Sequence, residues 1–397
     1  MKVAVVRGAF LNQFEMQNFA LMAKKHQLTA FSSLKPINDQ VGFPVIKLLS
    51  PMDLLSIIPI HQGKRIARGF LNRTFIDAHY LLELEKKLQG FDIVHCAETY
   101  YHFTQQCLNA KKKGFVKKVV STVWENIAFN NEGIWGRKKF KRRAIEEIDH
   151  FIAVSQGAYK SLISEGCQKE KITIIPVGID LEKFKAQSEK LKVKDKDRQI
   201  IILFVGRLEK EKGIKELLET FKQSTIINQQ PASTRPLVGR VEATIKLRII
   251  GDGSLKNWIK EWIVKNQQES NVVIEQHSYQ EMPQIYQEAD IFILPSKKTK
   301  TWQEQFGMVL IEAMASFLPI IATRSGAIPE VVGDCGILVD EASVGQLSQA
   351  LKRLVKDKFL RTKLGKIGRA RAEKYFDSQK IAKKIEKVYE NLSCCFN

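Results

Sequence analysis

The chain has 397 residues, 44% of them hydrophobic and 27% charged, which is too long for one ordinary core and suits two domains of roughly 180–200 residues. The net charge is +20, shared evenly: 26 Lys or Arg stand against 16 Asp or Glu up to residue 180, and 37 against 27 beyond it. Such a field draws anions, whether nucleotides, acidic lipid headgroups or nucleic acid, and the composition excludes a disordered chain or a disulfide scaffold.

In chain order, short apolar strands alternate with helical stretches. The first series lies at residues 3–6, 29–31, 92–95, 119–122, 151–154 and 172–175. Alternation of this kind predicts a parallel, doubly wound sheet. The opening Met1-Lys-Val-Ala-Val-Val6 is followed at once by Arg7, which favours a first strand over a leader segment. Residues 48–60 are apolar but broken by Pro51, Asp53 and Pro59, and no run approaches the roughly 20 residues a membrane-spanning helix needs.

Pro176, Gly178 and Asp180 close the first series, and the charged run 190–198 reads as a solvated linker, its Asp195 and Asp197 included. A second series follows at 200–205, 247–250, 272–274, 291–294, 320–322 and 337–339. Residues 223–244 lack periodicity and contain Pro231, Pro236 and Gly239, so a long surface loop is expected there. The end of the chain, 376–392, is amphipathic, with Ile381, Ile385, Val388 and Leu392 on one helical face. Six cysteines, at 96, 107, 167, 335, 394 and 395, show no paired metal-ligand spacing and are expected as reduced thiols.

Two segments of the second series carry chemistry. After the strand at 200–205, Gly206-Arg207 and Lys212-Gly213 form a glycine-containing turn into a helix, where Arg207 as a planar fork and Lys212 as a point charge can share one anion. After the strand at 291–294 the chain reads Glu304-Gln-Phe-Gly-Met-Val-Leu-Ile-Glu312, a loop running into a helix N-terminus. Amides of Phe306, Gly307 and Met308 can face a phosphate there. The two carboxylates are at most about 12 Å apart along the helix rise, comparable to the reach from a ribose across a diphosphate to a sugar.

With Ile249-Ile-Gly-Asp-Gly253, Met282-Pro283 to Ala289-Asp290, Gly326 to Glu330 and Gly336-Ile-Leu-Val-Asp340, these segments resemble, in order, a retaining glycosyltransferase of family 4 with the GT-B fold. The resemblance is densest over 199–340. It implies two Rossmann-like, doubly wound domains facing a central cleft: residues 1–180, joined by a C-terminal helix 376–397 that crosses back, would bind the acceptor, and 181–375 would bind the nucleotide sugar. It also implies roles. Glu304 would lie against the donor sugar, Glu312 would hold the ribose, Arg207 and Lys212 would hold the diphosphate, and the base would lie near 275–278, so that Ser278 joins the donor-binding set.

The match thins in the first domain. Relatives carry a glycine-rich loop after the first strand, whereas Arg7 to Gln13 has only Gly8, expected still to approach the donor. Many have a sugar-contacting His after the strand at 119–122; here the chain reads Val123-Trp-Glu-Asn126, so Glu125 or Asn126 would substitute or play a structural part. His95, at the end of the strand at 92–95, is a further candidate for acceptor or sugar contact, although a lone His is more often a hydrogen-bonded structural residue. Phe317 stands where Gly is common after the second Glu.

The expectation is thus a cytoplasmic enzyme, peripheral at the inner face of the cell membrane, that moves a sugar from a nucleotide diphosphate donor to a lipid-linked or saccharide acceptor. No cofactor and no metal are expected, because cations and a helix terminus would neutralise the leaving diphosphate. Lysines 111–113, 117 and 118, the run 137–143 beside Trp135, and 57–60 with Lys64 and Arg65 could form an anionic-membrane surface. A nucleic-acid partner is not expected. Two other readings stay open: a nucleotide-sugar epimerase of the same fold, and a non-catalytic protein binding nucleotide sugar or nucleic acid.

Overall fold

The computed structural model describes residues 1–54, 76–184, 199–226 and 244–394. The linker 190–198, the segment 57–65 and most of the expected loop 223–244 lie outside those residues. Where that loop begins, the helix Ile214–Ile226 instead continues through Ile226. Ser224 donates its hydroxyl back to the Thr220 carbonyl, and Gln223 accepts from Ser348, so this last turn is held locally.

The chain divides into two compact units, Met1–Ile179 with Phe376–Asn397, and Asp180–Tyr375. The first holds seven strands: β1 (Lys2–Gly8), β2 (Gln27–Ser32), β3 (Val45–Lys47), β4 (Phe91–Ala97), β5 (Val116–Val123), β6 (His150–Ala153) and β7 (Ile172–Ile174), in the order β3-β2-β1-β4-β5-β6-β7, every pair parallel. The second holds β8 (Ile200–Val205), β9 (Ile245–Ile250), β10 (Val272–Glu275), β11 (Ile291–Leu294), β12 (Ile320–Thr323) and β13 (Gly336–Val339), in the order β10-β9-β8-β11-β12-β13, again all parallel. These strands are runs of Val, Ile, Leu and Phe because a parallel sheet is covered on both faces.

In each sheet the order reverses once, between β1 and β4 and between β8 and β11. Loops leaving the C-terminal ends of those strands diverge and open a crevice, the usual ligand position in such sheets.

Among the helices that cover the sheets are α1 (Gln13–Ala20), α2 (His102–Lys112), α3 (Arg137–Glu147), α4 (Met308–Ala315) and α5 (Ser378–Ser393). The C-terminal helix α5 belongs to the first unit, where Ile381, Ile385, Val388 and Tyr389 pack with Met16 and Phe19 of α1. Each aliphatic side chain so buried contributes about 1.5–3 kcal/mol. Asp377 caps α5 by accepting the Gln379 N–H at 2.8 Å. The turn flagged at Gly178 meets this helix start: a Cβ there would lie 2.9 Å from the Ser378 backbone, so only glycine fits.

Candidate active site

At the β8/β11 crevice the motif residues of the second unit come together. Lys212 Nζ donates to Glu304 Oε2 at 2.7 Å, and Ser296, just past β11, donates to the same oxygen at 2.8 Å. Both charged side chains are nearly covered, 11% and 8% exposed, so their attraction is little screened by water. Trp302 lies under the ammonium, with Nζ 4.9 Å from its ring centre.

The backbone is fitted as closely as the side chains. Gly213 has φ +70°, and a Cβ there would sit 1.9 Å from the Pro295 carbonyl oxygen, so the turn after β8 lies directly on the end of β11. Gly326, at φ +53°, would drive a Cβ to 2.0 Å from the Glu304 carbonyl oxygen, which also accepts the Ala327 N–H at 2.9 Å. Any side chain at either glycine would displace Lys212 or Glu304.

Arg207, by contrast, is 60% exposed and paired with Glu211, at 3.1 Å. Phe306 is buried, and Gly307, at φ +83°, leads into α4 without a side-chain cap. Met308 opens that helix. Glu312, one turn further on, is buried and accepts the Tyr286 hydroxyl at 2.7 Å. Burial pushes its carboxyl up to about 7, against the pull of the Tyr286 and Tyr279 hydroxyls. Ser278, after β10, gives both its N–H and its hydroxyl to Glu281 in an exposed turn, at 2.8 and 2.6 Å.

Phe317 explains the usual glycine. It follows the C-terminal end of α4 at φ +59°, the left-handed position where glycine is favoured, and its ring is covered by the Arg369 guanidinium.

In the first unit two of the candidate residues take the structural alternative. His95 is wholly buried in β4, with Nδ1 2.5 Å from the Tyr389 hydroxyl and Nε2 2.7 Å from Thr122 Oγ1. Nδ1 ties α5 to the sheet and Nε2 ties β4 to β5, and burial together with Arg7 holds the ring neutral, so both ring nitrogens of His95 are committed within the fold. Glu125 is likewise committed to its own turn, accepting from Ile127, Asn130 and Asn131 at 2.9, 2.9 and 2.7 Å. Asn126 is buried beside Gly157. Gly8 has φ +55° and faces Phe103, which a Cβ would approach to 3.3 Å.

The cationic clusters are also less free than their density suggests. Arg137 and Lys141 are buried in ion pairs with Asp77 and Glu165, and Lys111 and Lys118 share Asp149. Lys138, Lys139 and Arg142 remain exposed, next to a Trp135 that is 77% exposed. No helix among the described residues is long and apolar enough to cross a membrane.

Sequence reasoning missed Ser296 and Tyr286, which hold the two carboxylates, Trp302, which lies against the Lys212 ammonium, and Glu98. Glu98 takes the Trp124 and Glu125 amides at 2.9 and 3.2 Å, and burial with Glu125 nearby pushes its carboxyl up to about 8. The signal for Ser296 and Tyr286 was their place beside a strand end and inside the 282–290 segment.

Two all-parallel sheets, each reversing its strand order once, with an ion pair and two fitted glycines at the crevice of the second, have the GT-B architecture. The same fold is found over 98% of this chain and all of the Anabaena Alr3699/HepE protein, solved with UDP (TM-score 0.74, 16% identity) and with UDP-glucose (TM-score 0.73, 17% identity). Residues 185–371 match the family "Glycosyl transferases group 1" and 20–183 match "Glycosyltransferase Family 4". The capsular polysaccharide biosynthesis glycosyltransferase CapM of Staphylococcus aureus is 31% identical over 277 residues, 65% of this chain and 67% of that protein. The chain belongs to the family 4 glycosyltransferases.

Proposed function

We propose that the protein transfers a sugar from a nucleotide diphosphate donor to a hydroxyl acceptor in glycolipid or cell-surface polysaccharide synthesis, with retention of anomeric configuration and without a metal. The observation that carries this is the Lys212–Glu304 pair, fixed at the β8/β11 crevice by Gly213 and Gly326. A buried ammonium held there by a carboxylate is suited to meet a diphosphate as its charge grows, while Glu304 orients the sugar. Arg207, exposed on the same turn, adds a second cation once an anion arrives, and the α4 N-terminus adds backbone amides. Glu312 accepts ribose hydroxyls.

Retention without an enzyme nucleophile follows a front-face course. The bond from the anomeric carbon to the diphosphate oxygen breaks, the acceptor oxygen bonds to the same face, and the acceptor proton passes to the leaving diphosphate. Support for the donor class comes from the fold shared with a protein solved with UDP-glucose, and for the acceptor class from CapM. A screen of nucleotide sugars, scoring nucleotide release with and without lipid extract, tests the reading. Acceptor-dependent release supports it; release of an altered sugar without acceptor, or none with any donor, rejects it. Activity should survive EDTA; loss restored by Mn²⁺ or Mg²⁺ rejects metal independence.

A further inference from the structure

We propose that His79, which no family motif marks, binds a saccharide hydroxyl of the acceptor through Nε2 at the β1/β4 crevice. This rests on the transferase reading above for the identity of the ligand as an acceptor.

Three observations place the ring. Phe10 follows β1 by two residues and Tyr101 follows β4 by four, so both belong to the loops that diverge at the crevice. The His79 ring stacks on Phe10 at 4.8 Å and 28°, and lies 4.9 Å from Tyr101; Phe10 and Tyr101 are 5.0 Å apart. An imidazole packed against two aromatic rings at a strand-end crevice is an apolar wall with one polar atom, the usual composition of a small-ligand site.

The orientation of the ring is fixed from behind. Asp77 is fully buried; its Oδ1 meets His79 Nδ1 at 2.9 Å and accepts from Arg137 Nη2 at 2.5 Å, and its Oδ2 accepts the His102 N–H at 2.9 Å. These partners hold its carboxyl down at about 2 despite burial. An ionised carboxylate only accepts hydrogen bonds, so Nδ1 of His79 carries a proton toward Asp77 and Nε2 is the ring's remaining polar atom. Nε2 makes no hydrogen bond to any described residue, and the side chain keeps 11% of its surface exposed. A buried carboxylate, an arginine and a helix-terminal amide thus fix a ring whose second nitrogen no described residue uses, and a hydroxyl can both donate to it and accept from it. A hydroxyl is the complementary group, and no proton leaves through His79: it goes to the leaving diphosphate.

The same chemistry would suit a hydroxyl of the donor sugar, so the test has two arms. Methyl glycosides of glucose, galactose, mannose and N-acetylglucosamine are titrated onto the full chain by saturation-transfer NMR, and UDP-glucose by calorimetry. Asn at this position supplies an N–H where Nδ1 stands and nothing at Nε2; Gln reaches the Nε2 position instead. His79→Asn is therefore expected to weaken the best glycoside about tenfold, roughly one hydrogen bond, and His79→Gln to stay within about threefold of the parent. UDP-glucose affinity should not change in either. A purely structural ring gives the reverse order, Asn tolerated and Gln not, and overturns the proposal. So does a loss of UDP-glucose with glycoside binding intact, or a panel that saturates no better on the parent than on His79→Asn. Failure of UDP-glucose to bind the parent counts against the donor reading alone, because the glycoside arm needs no donor.

Discussion

The two sheets reverse their strand order at matching points and furnish the resulting crevices with different chemistry. Between β8 and β11 the walls are charged and the backbone is pressed close: Lys212 on Glu304, Gly213 against Pro295, Gly326 against Glu304. Between β1 and β4 they are aromatic, with Phe10, His79 and Tyr101 in mutual contact and the charges of Asp77 and Arg137 buried behind them. An anionic ligand needs cations and amides at short range, which strand-end turns supply locally. A neutral saccharide needs a flat apolar surface with a few aimed polar atoms, which side chains from separate loops can assemble.

The largest effect should fall on the charged crevice. Lys212→Ala is expected to cost on the order of 2–4 kcal/mol in kcat/KM, the usual loss when a cation facing a developing anion is removed, and Glu304→Ala a comparable amount, because it takes away both the sugar contact and the carboxylate that holds Lys212. Because each removal strands the other member of a nearly covered pair, the double variant should lose little more than the worse single one. Additive losses in that cycle would show that the two act on different atoms. Arg207→Ala, taken from an exposed pair, should raise donor KM more than it lowers kcat.

The next effect is on stability, and it compares the two units directly. Glu98 in the first is pushed up to about 8 and Glu312 in the second up to about 7, both above the 4.5 of a free Glu. The folded chain therefore holds protons that the unfolded chain has already released. Stability on account of each is intact below about 4.5, falls as pH rises, and levels off past about 8 for Glu98 and about 7 for Glu312. Over that window each contributes a loss on the order of a few kcal/mol. Glu98→Gln should unfold at higher urea than the parent at pH 8.5 and at the same urea at pH 4.5. Equal midpoints at both values would mean that Glu98 titrates normally.

Tyr286→Phe sharpens the site side of this contrast. It takes a 2.7 Å hydrogen bond from Glu312, so the carboxyl should rise further and be more often neutral at pH 7.5. Donor affinity should fall several-fold there, about one hydrogen bond's worth, and recover toward pH 9. Calorimetric titration at the two pH values reads it; a pH-independent loss would place Tyr286 in packing alone.

The contrast also explains what was legible in the sequence. The strand series and the helix face Ile381, Ile385 and Val388 were readable because their periodicity is local. So were the places of Lys212, Gly213 and Glu304 in the loops that leave β8 and β11, and of Glu312 in the helix α4 that follows. The first unit hid its crevice because Phe10, Asp77, His79 and Tyr101 are brought together only by the sheet order. His95 misled for the opposite reason: its place in a strand was right, but the inward face of that strand is sealed by Tyr389, almost 300 residues away. Phe317 departs from the usual glycine without changing chemistry, since its left-handed backbone is the very conformation glycine would have supplied at no cost.

The smallest expected effect concerns the outer face of the first unit. The burial of Arg137 and Lys141 and the pairing of Arg143 with Glu147 leave Lys138, Lys139 and Arg142 as the exposed cations of α3, beside the exposed indole of Trp135. Each cation near an anionic bilayer contributes about 1 kcal/mol, an attraction that fades beyond about a Debye length. Three of them with one aromatic side chain give weak, salt-sensitive docking. Flotation with anionic vesicles at low salt should carry part of the protein, zwitterionic vesicles none, and Lys138→Gln with Lys139→Gln and Arg142→Gln should abolish it while UDP-glucose affinity stays unchanged. Lys141→Gln is the control that separates surface charge from structure: it should lower the unfolding temperature, because Glu165 loses its 2.5 Å partner, and leave flotation intact. If Lys141→Gln releases the vesicles and the triple variant does not, the exposed charges are solvated surface and a soluble saccharide becomes the better acceptor.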